Sequence, residues 1–498
     1  MARETRDRRQ YGDFQTPPEL AESATLALRG LGIRPQTILE PTCGRGAFLL
    51  AALRVFPDAR QYIGVDINEE YLAELRENIA GSDRRADIRL ARGDFFRLDW
   101  LGLLGDAPRP ILILGNPPWV TNSELGALAS GNLPKKSNTD GLRGYDALTG
   151  KSNFDISEWM LSRYLDWLGD SPGTVAVLCK TAVARKVLRR AWRRGLPMGT
   201  ASLFTINARE YFGVSVDACF LVIETRHGGA AADCAVYEGL AAEYPSRTLG
   251  YRDGMVLSDV AGYERWRHLR GGNSGYIWRS GIKHDCAGVM ELAPEGKGYR
   301  NGLNEFVDLE SAYVYPLLKS SDLSRGSPRY GRKYLLVTQG YLGEDTSRIG
   351  LDAPRTWDYL RAHRGLLEKR ASSIYRDRPE YSIFGIGEYS FASWKVAISG
   401  FNKRLDFQVV APYRGKPVMV DDTVCFLPCG TEAEARSIAG LLNSEPARQF
   451  LESMIFWVDK RPITIELLKR LDLRALCVEL YRERMVYGYG VEGMKWPG

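Results

Sequence analysis

The sequence predicts an α/β protein whose first half forms a mostly parallel, Rossmann-like sheet and whose second half is a mixed α+β domain. Three observations carry this reading. From about residue 37 to 225, short apolar runs alternate with amphipathic segments, the pattern of strands joined by covering helices. The unusual loops of that half all follow apolar runs, and parallel sheets bind ligands at the C-terminal ends of their strands. Beyond about residue 240 the alternation gives way to a chain richer in Tyr, Trp, Gly and Arg.

In chain order, "TILEP" precedes "GAFLLAALRVF", "YIGVDI" precedes "EEYLAELRENIA", and "DIRLARGDFF" and "ILILGNPPW" follow. Then come "DISEWMLSRYLDWL", "GTVAVLCKT", the basic "ARKVLRRAWRR", "ASLFTI" and "DACFLVIET". The small-residue stretch 226–239 reads as an exit from this domain, so the boundary is placed at 240, giving domains 1–240 and 241–498. In the second half "RYGRKYLLVTQGYL", "EYSFASWKVAISGF" and "TVCFLP" read as strands, and "EAEARSIAGLLNS", "EPARQFLESMIF" and "TIELLKRLDL" as helices.

The chain has 498 residues and a formal charge of +6, which permits a polyanionic partner without requiring one. Its eight cysteines are scattered singly and its histidines number four, so no metal site is expected. Cys179 and Cys219 sit in apolar runs and read as small buried hydrophobes. The charged N-terminus precedes no apolar stretch of signal-peptide type, and no apolar run approaches a membrane span. The expectation is a cytoplasmic protein without membrane association.

In "ILEPTCGRGAF" a strand ends in Glu40 and turns through Gly44 and Gly46 into a helix. A glycine turn here serves either a ligand or merely a tight strand–helix connection; Lys and a full GxGxxG are absent, which argues against a phosphate loop. The next strand ends in Asp66, about 20 residues on, where nucleotide folds set an acid against ribose hydroxyls. "ARGDFF" then offers Asp94 to an exocyclic amine and Phe95 to a purine face. Together at consecutive strand ends these residues outline a nucleoside site without a phosphate device, which points to S-adenosylmethionine.

The fourth run ends in Asn116-Pro117-Pro118-Trp119. Prolines fix φ and remove N–H donors while leaving carbonyls to accept, and Asn116 adds a side-chain acceptor. Two acceptors can hold both hydrogens of an –NH2 group, with Trp119 as a platform for the ring that carries it.

With these motifs in this order, the sequence resembles the amino-methylating, S-adenosylmethionine-dependent DNA methyltransferases of the gamma arrangement, over residues 11–225. "FQTPPELAESA" (14–24) resembles their N-terminal cofactor-lid motif, with Thr16 and Pro17 matched; "NAREYFGVSVDACFLVIE" is similar to a late motif whose aromatic packs on the flipped base, aligned with Phe212 and less well with Tyr211. The resemblance implies a seven-stranded Rossmann-like methyltransferase domain and a C-terminal target-recognition domain. It implies a catalytic set of Asn116, Pro117, Pro118, Trp119 and Phe212. Cofactor contacts would come from Thr16, Pro17, Glu40, Pro41, Cys43, Gly44, Gly46, Asp66, Ile67, Asp94, Phe95 and Asn116. The target base would be flipped from the duplex at a cost of about a few kcal/mol.

"YPLLKSSDL" (315–323) and "YSIFGIGEYSFASWKVAISG" (381–400) are similar to recognition-domain segments of restriction–modification methyltransferases. "EKRASSIYRDRPEY" and "GFNKRLDF" interleave cations with aromatics, as phosphate and base contacts require; each basic run, "ARKVLRRAWRR" included, reads equally as a solvated face. Lys319 and Ser320 read either as contacts or as turn residues. The expected function is site-specific N6-methylation of adenine in double-stranded DNA, protecting it in a restriction–modification or defence system with a cognate restriction endonuclease as partner. The alternatives are cytosine-N4 methylation, RNA methylation, or an inactive DNA-binding module.

Overall fold

The strands predicted in the first half pair, mostly in parallel, into one continuous sheet. The computed structural model describes residues 15–80, 86–120, 155–271, 275–323 and 326–487, and the chain divides at Val260 into two compact units. The first unit opens with α1 (Pro18–Gly30), started by a proline at its first position, where no N–H is needed. Then follow β1 (Thr37–Glu40), α2 (Ala47–Val55), β2 (Gln61–Asp66), α3 (Glu69–Ala80), β3 (Asp87–Arg92), α4 (Trp100–Leu104) and β4 (Ile111–Gly115). The unit continues with α5 (Ile156–Leu168), β5 (Gly173–Lys180), α6 (Thr181–Arg194), β6 (Met198–Ile206), α7 (Ala208–Phe212) and β7 (Ala218–Thr225). Three further strands complete it: β8 (Asp233–Tyr237), β9 (Arg247–Arg252) and β10 (Met255–Leu257).

The sheet order is β10-β9-β8-β6-β7-β5-β4-β1-β2-β3. β1 pairs in parallel with β2 and β4, β4 with β5, and β2 with β3. β7 runs antiparallel to both of its neighbours, β5 and β6. The first seven strands thus form a sheet with one reversed member, and the ends of β1, β2, β3, β4, β5 and β6 face one edge. Its core includes Phe48, Phe204 and Phe220, with the Phe48 and Phe220 rings stacked at 6.3 Å.

Three more strands join the expected seven in the same sheet, and the compact unit runs to Val260, past the boundary read from sequence at 240. The cause is the 226–239 stretch, read as an exit: within it, Cys234 and Val236 are buried and β8 pairs in parallel with β6. The antiparallel pair β9–β10 then extends the same sheet.

The second unit is α+β. A six-stranded sheet combines β12 (Glu291–Glu295), β13 (Gly298–Asn301), β14 (Phe306–Val307), β15 (Val314–Leu318), β16 (Lys333–Leu336) and β19 (Met419–Val420). A four-stranded sheet combines β11 (Arg279–Ser280), β17 (Trp394–Ser399), β18 (Gln408–Val410) and β20 (Val424–Cys429). The helices expected near the end form as α8 (Glu432–Leu442) and α9 (Glu445–Glu452). Among the described residues, no helix is long and apolar enough to cross a membrane.

On β17, Lys395 is almost fully buried, donating to the Ala392 carbonyl at 2.6 Å beside the Phe426 ring. Burial pushes its ammonium down to about 7. The unfolded chain therefore binds more protons than the folded one between pH about 7 and the ordinary lysine value, so this residue adds stability as pH rises through that window. Lys395→Met should remove that slope and be at least as stable as the parent at pH 7, as read by denaturant midpoints across pH; an unchanged slope would contradict the assignment.

Candidate active site

The edge where the parallel strands end gathers most of the residues singled out by sequence. After β1 the chain turns through Gly44 (φ +51) and Gly46 (φ +78). Both positions favour glycine on conformational grounds; a Cβ on Gly46 would also lie 2.4 Å from the Leu75 side chain, and one on Gly44 2.8 Å from the end of the Gln15 side chain, which would have to shift. The Cys43 N–H donates to the Val65 carbonyl at 2.9 Å, tying this loop to β2; Pro41, Cys43 and Gly46 are buried.

Glu40 is buried beneath the loop, and its Oε2 accepts from the Leu49 N–H at 2.9 Å. Burial, reinforced by nearby Asp66 and opposed by that hydrogen bond, raises its carboxyl well above the usual range. Asp66 accepts from the Gly44 N–H at 2.8 Å through one oxygen and from the Asn68 N–H at 2.8 Å through the other. It thus clamps the glycine loop against the end of β2. Ile67 beside it is 55% exposed, an apolar side chain left open at the sheet edge.

Asp94 accepts from the Phe96 N–H at 3.0 Å and pairs with Arg97 at 3.4 Å. Phe95 departs from expectation. Its ring is buried among Phe96, Trp100, Trp159, Tyr164 and Trp167, with centroids 5.3–6.2 Å away. It is a core residue that seats the turn carrying Asp94, rather than an open stacking face.

Gly115 (φ +156) ends β4, and Asn116 follows half-buried. Asn116 Nδ2 donates to Thr16 Oγ1 at 3.3 Å, bringing together two motifs 100 residues apart. Next to Thr16, Gln15 Oε1 accepts from the Arg45 N–H at 3.3 Å, and Pro17 supplies the carbonyl that starts α1. Gln15 escaped the sequence reading, although its place beside Thr16 and its long polar side chain were visible there. Pro117 is buried and Pro118 half-buried. Trp119 is buried, its indole N–H donating to the Leu178 carbonyl at 3.4 Å. Its ring meets Phe212 edge-on, with centroids 5.3 Å apart at 67°. Phe212 closes α7, which is capped by Gly213 at φ +68.

The basic helix α6 is in part committed locally. Lys186 and Arg190 pair with buried Glu158 of α5 at 3.2 and 2.9 Å, while Arg189 and Arg193 remain exposed. In the second unit, Lys319 and Lys333 each lie 2.6 Å from Glu291. These lysines, with His284, hold its carboxyl well below the usual range against the opposing effect of burial. Ser320 bonds Thr423, so Lys319 and Ser320 belong to an internal polar network.

The first seven strands run in the order 3-2-1-4-5-7-6 with strand 7 reversed, and the residues present fit S-adenosylmethionine: the loop after β1 turns through two glycines at positive φ, and acids stand at or just beyond three successive strand ends. The chain is 43% identical over 468 residues to the type II methyltransferase M.NspV of Nostoc sp., covering 94% of this chain and 97% of that one. It belongs to the type II DNA methyltransferases of restriction–modification systems. No family model matches the sequence. Among solved structures, the type IIL restriction–modification enzyme MmeI in complex with DNA is similar, with TM-score 0.48, 13% identity, and coverage of 95% of this chain and 73% of that one. The type I restriction enzyme EcoKI M protein follows with TM-score 0.32, 15% identity, and coverage of 45% and 48%.

The Thr16–Asn116 bond gives a direct expectation. Thr16→Val should slow single-turnover methyl transfer by about 3- to 10-fold, the value of one hydrogen bond, and Thr16→Ser should retain the parental rate. Equal rates for all three proteins would show that Thr16 does not orient the amide.

Proposed function

We propose that this methyltransferase transfers a methyl group to the N6 amine of an adenine flipped out of duplex DNA at a specific site, as the modification partner of a restriction endonuclease. The observation that carries the reading is the Asn116-Pro117-Pro118-Trp119 loop at the sheet edge, with its amide oriented by Thr16 and its aromatic beside Phe212.

S-adenosylmethionine supplies an electrophilic methyl group on a sulfonium. Around it, Gly44 and Gly46 admit a close backbone approach, with Thr16, Pro17, Pro41 and Cys43 alongside. Asp66 would receive ribose hydroxyls, Ile67 would offer an apolar face to the adenine ring, and Asp94 would accept from its exocyclic amine. Glu40 serves this set indirectly, by holding the loop through the Leu49 N–H.

Asn116 Oδ1 and the Pro117 carbonyl accept the two hydrogens of the target amine, which localises its lone pair for attack. The prolines keep both acceptors stiff, and positioning is the main catalytic contribution. No covalent enzyme intermediate is required. Trp119 and Phe212 sandwich the flipped base, each contact returning about 1–3 kcal/mol. Two parallel rings around a base stand roughly 7 Å apart, twice the carbon contact distance, which exceeds the 5.3 Å between these centroids. One ring therefore swings aside on base entry. Phe212 is half-buried on a five-residue helix, whereas Trp119 is buried with its indole bonded to the Leu178 carbonyl.

The second unit reads the DNA word. Exposed Lys369, Arg376 and Arg378, the last beside the Phe384 ring, are suited to phosphate contact. Expression in a methylation-free host, followed by modification-sensitive long-read sequencing, should show N6-methyladenine within one recurrent DNA word. N4-methylcytosine would overturn the choice of base. Unmodified DNA with methylated RNA, or no modification despite intact expression, would overturn the reading.

A further inference from the structure

Strand β5 ends in Lys180, beside the loop that β4 delivers. Lys180 Nζ donates to the Trp119 carbonyl at 3.0 Å and to Asp155 Oδ2 at 2.7 Å. Asp155 is buried, and its other oxygen accepts from the Ser157 N–H at 3.1 Å and the Ser157 hydroxyl at 2.6 Å, so the start of α5 holds it in place. Next to this bridge, the Ile156 N–H donates to the Val120 carbonyl at 2.9 Å. Residues 121–154 lie outside the described residues, and Val120 and Asp155 flank them. Lys180 therefore bonds to the chain on both sides of that segment, at Trp119 and at Asp155.

We propose that Lys180, acting with Asp155, is a positioning residue for methyl transfer: it fixes the Trp119 carbonyl and thereby the reach of the Asn116 and Pro117 acceptors. The inference rests on the reading of residues 116–119 as the amine-accepting loop. The physical case is one of remaining freedom. Pro117 and Pro118 have fixed φ, β4 holds the loop's start in the sheet, and the Trp119 indole is tied to Leu178. At the loop's far end two backbone carbonyls are held, that of Val120 by the Ile156 N–H and that of Trp119 by Lys180, and Lys180 supplies the side-chain hold. Charge-assisted hydrogen bonds such as these are roughly twice as strong as neutral ones. A displacement of about 1 Å at a reacting centre can cost roughly 100-fold in rate.

The test compares the full-length parent with Lys180→Met, Lys180→Arg and Asp155→Asn on duplex DNA carrying the enzyme's own word. Lys180→Met should retain cofactor affinity and KM for DNA while losing about 10- to 100-fold in single-turnover rate. Lys180→Arg should recover much of that loss, because it restores a cationic donor, and Asp155→Asn should fall in the same direction as Lys180→Met. With 2-aminopurine at the target position, Lys180→Met should alter the fluorescence of the bound complex. Full activity in both Lys180→Met and Asp155→Asn would overturn the inference. So would a loss confined to KM, or one that tracks the melting temperature and is not recovered by arginine. A parent enzyme that transfers no methyl group would instead sink the underlying reading of the loop.

Discussion

Parallel pairing of β4 with β1 on one side and β5 on the other determines where the chain's stiffest loop stands. Leu39 registers with Ile113, and Gly115 with Val177. That register places the glycine loop after β1 and the Asn-Pro-Pro-Trp loop after β4 side by side at one sheet edge. It also brings the end of β5 within reach of Trp119. The apolar run 111–114 is fully buried because sheet neighbours cover both sides of β4 and core side chains its faces. A polar or flexible strand there would leave the loop without a fixed origin.

The acids at the strand ends divide their work in a way that burial explains. Glu40 faces inward and meets a backbone N–H, so it organises the loop that follows it. Asp66 clamps the same loop from β2 while remaining only partly covered. Asp94 stands beside a buried aromatic cluster to which the Phe95 ring belongs. Charge is divided similarly. Several cations of α6 and of the Lys319 region answer buried glutamates nearby, which leaves a smaller exposed set for a polyanion than the sequence runs suggest.

Much of the first unit was legible because its signals are local. Strands read as apolar runs, their ends as acids or glycines, and the order of motifs carried the rest. The pairing of Trp119 with Phe212 could be anticipated only through resemblance, since 93 residues separate them. The burial of Phe95 is not legible locally, because three of its aromatic partners, Trp159, Tyr164 and Trp167, lie on α5, more than 60 residues on. The β8 strand was missed because its small, polar surroundings resemble a linker, and only pairing with β6 reveals it. Lys180 could have been flagged as a cation ending an apolar strand at the ligand-binding edge, yet its partners Trp119 and Asp155 were invisible without coordinates. In the second unit, strands and late helices were readable, whereas the split into two sheets depends on long-range pairing such as β15 with β19.

The central claim is that the Asn116 side chain accepts a hydrogen from the target amine, and one comparison tests it most directly. Asn116→Ala and the parent would be assayed for S-adenosylmethionine affinity and for single-turnover methylation of the same DNA. The account predicts largely retained cofactor binding with transfer abolished, a loss on the order of 100-fold or more from a lost transition-state hydrogen bond. Full transfer activity in Asn116→Ala would contradict it.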